Sequence, residues 1–241
     1  MMRAGTVSRA GLVLGAILFP GVALAQSCPA PLTDAKRLVL VVADNFTTSA
    51  ASVQRFERVA GGSWRAIGGP ASALIGLKGM AWSQAWRSLA TRGEPVKYDG
   101  DKRVPAGIYP TGSSFGFKAR PHTDYLQIRE GDVCVDDPSS PAYNTITKRA
   151  LVGRKVHGEN MWRVPDYRNG ISVEYPTNAK LRAGSCIFIH VWLPGKAGTA
   201  GCVALKEPEV VALQEFVEPG AVLAVLPRHA LGRLKGCLPE Q

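Results

Sequence analysis

Hydrophobic residues along this chain gather in short runs bounded by glycine, proline and polar positions. Residues 36–43 contain Leu38-Val39-Leu40-Val41-Val42, a β-rich run that predicts a strand. Residues 53–59 and 63–67 flank Gly61-Gly62 and predict a hairpin, although residues 49–59 also have the propensity of a helix. Residues 75–89 mix glycine and tryptophan and give no assignable period. Residues 104–117 are rich in proline, glycine and serine and read as short strands joined by tight turns. Residues 136–144 read as a polar loop.

The last third is more regular. Residues 186–192 form a continuous apolar strand interrupted by His190, and residues 194–200 a glycine-containing loop. A helix is predicted to open at Glu207-Pro208, with proline in a favoured first-turn position. Val210, Val211, Leu213, Phe216 and Val217 recur at helical spacing as its buried stripe, and Pro219-Gly220 ends it. Residues 221–226 form a final strand. No linker and no internal repeat interrupts the chain, so the expected fold is mainly β: a single domain over residues 26–241 with a few short helices.

Residues 1–25 read as a secretory signal peptide. Arg3 and Arg9 form the positive start, an apolar stretch runs from Ala10 to Leu24, and Ala23-Leu24-Ala25 gives the small-x-small cleavage pattern. The apolar stretch falls short of the ~20 residues of a membrane span, so the mature chain is expected to have no span. Cleavage would lower the net charge from +10 to +8 by removing two arginines. A basic chain often meets nucleic acid. Export argues for an anionic cell envelope instead. With 46% hydrophobic and 20% charged residues, the chain is neither disordered nor collagen-like.

Five cysteines, Cys28, Cys134, Cys186, Cys202 and Cys237, leave at least one unpaired within an oxidising compartment. The expectation is that Cys202 is free, with Cys28 paired to Cys237 and Cys134 to Cys186. Three pairings of those four remain open to sequence.

The candidate chemistry lies at His190 and at Thr199-Ala200-Gly201-Cys202. An imidazole beside a thiol takes its proton and yields a nucleophile. Gly201 permits a sharp turn, and the amides around Cys202 suit an oxyanion. The N-terminus of the helix that follows would favour the thiolate, which should then alkylate well below the ~8.5 of a free cysteine. The plainer reading is a buried cysteine and a hydrogen-bonded core histidine. Zinc fits poorly, because no second ligand pair stands close by.

Ile187-Phe188-Ile189-His190 followed by Thr199-Ala200-Gly201-Cys202-Val203-Ala204-Leu205 resembles the catalytic signature of the L,D-transpeptidase (YkuD-like) family. Lys97-Tyr98-Asp99-Gly100-Asp101 with Val104-Pro105-Ala106-Gly107-Ile108-Tyr109 resembles that family's Lys-x-Glu-Gly-Asp-Gly…Pro-Ala-Gly segment. Cys134-Val135-Asp136-Asp137 with Tyr143-Asn144 resembles its Val-Asp-Asp…Tyr-Asn loop. The resemblance spans residues 73–227. Three departures concern the handling of donor and acceptor: the interval from His190 to Cys202 is short, Ala200 stands where histidine is common, and Ala204 stands near where arginine or asparagine is often found. Asp99 also replaces the family's usual glutamate.

The resemblance implies an exported enzyme of the periplasm or cell envelope with a β-sandwich-like catalytic domain. Its partners would be peptidoglycan stem peptides, and carbapenems would mimic the donor. No metal or organic cofactor is implied. Cys202 would form an acyl-enzyme thioester, with His190 as general base, Gly201 and Cys202 at the oxyanion hole, and Thr199 and Gly201 in the turn that carries the nucleophile. An amine acceptor would then complete a 3-3 or 1-3 cross-link. Asp136 and Asp137 either hold a diaminopimelate amine or cap a turn; Tyr143 and Asn144 either line the site or scaffold a loop. His157 and Glu159 border the groove. His122 and His229 are expected to stay exposed and uninvolved, and Trp64, Trp82 and Trp86 to sit in the core. Two competing functions use the same residues differently: a hydrolase in which water resolves the thioester, and a non-catalytic wall-binding module.

Overall fold

The structure, a computed structural model, describes residues 1–2, 28–121, 124–217 and 220–240. The expected signal peptide and His122 fall outside the described residues, apart from Met1 and Met2. The strands are β1 (Arg37–Ala43), β2 (Ala50–Arg58), β3 (Trp64–Leu74), β4 (Met80–Trp82), β5 (Val104–Gly116), β6 (Tyr125–Gln127), β7 (Asp132–Val135), β8 (Ile146–Lys148), β9 (Gly158–Asn160), β10 (Asn169–Val173), β11 (Phe188–Val191), β12 (Val203–Leu205) and β13 (Ala221–Pro227). Three α-helices accompany them: α1 (Ala30–Thr33), α2 (Arg149–Val152) and α3 (Glu207–Phe216).

The fold is mainly β, but its principal sheet is not a sandwich. The ladder runs β10-β11-β12-β3-β2-β1-β13-β5, and β5 pairs again with β10, so eight strands close into a barrel. Closure leaves the ring without free edges. β4 and β6 add to β5 outside it. A separate sheet, β8-β7-β9, stands apart from the barrel. β1 and β13 pair in parallel and are almost wholly buried, which explains their unbroken apolar runs. No helix among the described residues is long and apolar enough to cross a membrane.

Residues 50–58 and 64–74 form the expected hairpin, its turn carried by Gly61 (φ +87°) and Gly62 (φ +83°). Residues 104–116 correct the sequence reading, since they form one thirteen-residue strand rather than short strands joined by turns. The turn-forming composition serves close packing instead. A Cβ on Gly107 would lie 2.2 Å from the Trp86 ring, whose Nε1–H donates to the Ile108 carbonyl at 3.0 Å. Trp82 is fully buried, whereas Trp64 and Trp86 pack half-buried against the core.

α3 packs on β10 and β11. Val210, Leu213 and Val217 are buried as predicted; buried Gln214 joins them. Its Nε2 donates to Phe115 O and Gly170 O, both at 2.8 Å, across the seam where β5 meets β10.

Two disulfides are present, Cys28–Cys237 and Cys134–Cys186, and Cys202 is free and buried. The first ties the two ends of the described fold together. The second joins β7 of the small sheet to the segment entering β11. It therefore bridges the two sheets beside Cys202, whose side chain shares a cluster with Cys134, Phe115, Tyr167 and Phe188.

Candidate active site

β11 and β12 run parallel, with Ile189 opposite Val203 and His190 opposite Ala204. Cys202 immediately precedes β12, so it and His190 project from the same face of adjacent strands. Both line a cavity of about 650 Å³ between the barrel wall and the small sheet, a volume suited to a small-molecule or peptide ligand.

The turn ahead of Cys202 is held by one side chain. Thr199 Oγ1 accepts the Gly201 N–H at 3.1 Å and donates to the Cys202 carbonyl at 2.7 Å. Gly201 adopts φ +154°, and a Cβ there would approach Arg103 O at 3.2 Å. Its amide is engaged by Thr199, which places Gly201 in the turn half of its expected role. Thr199 itself pairs through its backbone with Ile75 and Leu77, which fixes the turn to the barrel.

His190 is 6% exposed. Its Nδ1 lies 3.0 Å from the Val191 carbonyl, which assigns the proton to Nδ1 and leaves the Nε2 lone pair as the base. Asp166 Oδ2 stands 3.9 Å from Nδ1. Burial lowers the His190 pKa from its ordinary value, so the ring is neutral at pH 7.

Cys202 is 8% exposed, and its thiol lies 3.6 Å from the Cys186 carbonyl. Burial pushes the thiol up to about 12, with Glu159 and Asp166 adding to the rise; a Phe188 backbone bond and Lys97 act against it. This overturns the expectation of a thiolate formed in the resting state. α3 begins beyond the far end of β12, roughly 16 Å along an extended chain from Cys202, so its N-terminus does not serve the thiol. The resting site holds a neutral thiol and a neutral imidazole in the lining of one cavity.

The remaining candidates divide. Asp136, His157 and Glu159 line the cavity, with Asp136 Oδ1 2.5 Å from His157 Nδ1. That carboxylate raises the His157 pKa. Asp137 caps a turn: it accepts Ser139 N–H and Oγ–H and the His157 N–H at 2.6–3.0 Å. Asn144 sits behind the cavity wall as scaffold, and Tyr143 likewise contributes no cavity lining. His229 is exposed, as expected, and outside the cavity, where it bonds Glu94 at 3.0 Å in a cluster with Arg233. The Lys97…Asp101 motif is a buried ion pair at 2.5 Å, and Asp101 also accepts the Tyr98 and Arg103 amides.

Sequence reasoning passed over Asp166, Tyr167, Trp192 and Lys196, which all line the cavity. The aromatic stretch before β11 hinted at Tyr167, but no spacing rule places that ring against His190. Among the described residues no group of three His, Cys, Asp or Glu side chains is arranged to hold a metal ion.

The arrangement offers a buried thiol, an imidazole of fixed tautomer and a cavity of about 650 Å³, the parts that acyl transfer through a cysteine requires. No model of a known protein family matches this chain, and no curated protein matches it.

Proposed function

We propose that this chain is a peptidoglycan L,D-transpeptidase, exported to the periplasm or cell envelope. The observation that carries the reading is that Cys202 and His190 line one cavity from the same face of adjacent parallel strands, with the imidazole proton held on Nδ1. The motif resemblance converges on the same two residues. The two disulfides fit an oxidising compartment.

In this reading the donor stem enters the cavity and Cys202 attacks the carbonyl of its scissile amide. Because the thiol rests protonated, His190 Nε2 removes its proton as the sulfur–carbon bond forms. The imidazolium then protonates the departing amine, leaving a thioester. An acceptor amine attacks that thioester and gives a proton back through His190, and the thiol is regenerated as the new amide forms. Asp136 in the cavity wall suits the cationic amine of a stem peptide. Burial of the imidazole keeps it a base at neutral pH.

The test is a muropeptide digest by mass spectrometry, with the mature protein and its Cys202→Ala variant incubated with disaccharide-tetrapeptides. Cross-linked dimers made by the wild type alone support the transpeptidase. Shortened stems without dimers replace it with a carboxypeptidase on the same residues. No product from either protein sinks both readings.

A further inference from the structure

Tyr167 is 5% exposed and is the hub of a ring cluster under the cavity. Its ring meets Phe115 (5.9 Å), Phe188 (5.4 Å) and His190 (5.5 Å, interplanar 75°) edge to face. Phenylalanine would satisfy that packing. The hydroxyl adds a polar end which, left alone, costs the desolvation of a buried donor. It is instead donated to Glu159 Oε2 at 2.5 Å. Glu159 belongs to β9 of the small sheet, opposite Cys134 on β7. The Tyr167–Glu159 bond therefore spans the cavity floor from the small sheet to the ring that backs the imidazole.

The turn that presents Tyr167 is anchored on its other side too. Arg168 pairs with Glu207 of α3 at 2.8 Å, and Asp166 stands beside His190. With Nδ1 held by Val191 and one side of the imidazole against Tyr167, two independent contacts define where Nε2 points.

We propose that Glu159 and Tyr167 form a positioning pair, in which the Glu159 carboxylate holds the Tyr167 hydroxyl and Tyr167 holds the His190 ring in line with Cys202. Glu159 then acts through Tyr167 and not by direct contact with the substrate. Charged and titratable neighbours facing Glu159 are Asp136, Asp166 and Cys202, with His157 and Arg149 supplying positive charge along the same sheet. The inference rests on the thiol–imidazole reading of the site, and its test is chosen to survive failure of the substrate assignment.

The experiment uses the mature, disulfide-bonded chain with Tyr167→Phe, Glu159→Gln and the double variant. Turnover of disaccharide-tetrapeptide and the pH titration of the His190 ring by NMR are both measured. Tyr167→Phe, which keeps the ring, should lower kcat about tenfold with KM unchanged. Glu159→Gln should cost less, and the double variant no more than Tyr167→Phe alone. The titration of the His190 ring should move toward the ordinary histidine value of ~6.5 in both single variants. Losses that multiply in the double variant, or a raised KM with unchanged kcat in Glu159→Gln, would show that Glu159 meets the substrate directly and overturn the proposal. If the wild type turns over no stem peptide, the proposed function fails by itself. The His190 titrations then decide the pair, and titrations identical to wild type in both variants reject it.

Discussion

The side-chain oxygen of Asn144 accepts the Cys186 N–H at 2.8 Å, and the carbonyl of Cys186 faces the Cys202 thiol at 3.6 Å. Both Asn144 (φ +62°) and Cys186 (φ +56°) hold left-handed backbone, which asparagine tolerates and most side chains resist. Asn144 also donates to the Tyr175 carbonyl at 3.2 Å. A residue outside the cavity thus sets the peptide that meets the nucleophile.

Asn144→Ala is expected to lower stability by about 2 kcal/mol and activity by about tenfold, since it removes two bonds and the tolerance for positive φ. Asn144→Gly restores the backbone freedom but not the bonds. It should regain part of the stability and none of the activity. Urea denaturation and turnover, read side by side, check this; full activity in either variant would remove Asn144 from the support of Cys202.

The thiol should behave as a buried, protonated group. Its alkylation by iodoacetamide in the free protein is expected to be slow at pH 7 and still climbing above pH 9, following a pKa of about 12. A plateau reached below pH 8 would reveal a resting thiolate and reverse this picture.

In the proposed function, His190 supplies the acid limb of activity. Its folded-state pKa is lowered by burial, so the ring remains a base below the ordinary ~6.5. The limb in kcat/KM should therefore lie on the acid side of 6.5. The same shift makes stability fall as pH drops below 6.5, because the unfolded chain takes the proton first. Paired pH–rate and pH–denaturation series test both halves.

The two disulfides should separate stability from activity. Closing a loop of 209 residues, Cys28–Cys237 is expected to contribute about 3–5 kcal/mol. Replacing both cysteines by serine should lower Tm while leaving kcat near wild type. The Cys134→Ser, Cys186→Ser pair should lower both, since that link stands beside Cys202. Equal kcat in the two double variants would contradict this.

Lys97 and Asp101 form an ion pair with side chains 3% and 1% exposed. Removing one partner, as in Asp101→Asn or Lys97→Met, leaves a buried charge alone and should cost about 3–5 kcal/mol. Chemical denaturation of the single variants measures it. A loss under 1 kcal/mol would mean that the remaining charge finds water.

Much of this protein can be read without coordinates. The apolar runs that become β1, β11 and β13 announce themselves because strands buried on both faces need no alternation. The stripe of α3 follows from 3.6-residue periodicity, and Gly61-Gly62 marks its hairpin. His190 and Cys202 stand out as candidates through the family resemblance and not through spacing alone, and the structure places them on β11 and just ahead of the adjacent β12.

Other features were set by contacts between distant segments. Sheet closure depends on β5 meeting β10, and the disulfide choice on bringing Cys134 beside Cys186. The single long β5 hides behind its prolines and glycines, because the partner that explains Gly107, the Trp86 ring, comes from elsewhere in the chain. The thiol's protonation is likewise tertiary. Sequence supplies a cysteine near a histidine and ahead of a helix, but the burial that pushes it up to about 12 belongs to the packed cluster around it. Local pattern determines which residues can form a strand, a turn or a nucleophile. Which partners surround them, and so what charge they carry, is decided only when the chain folds.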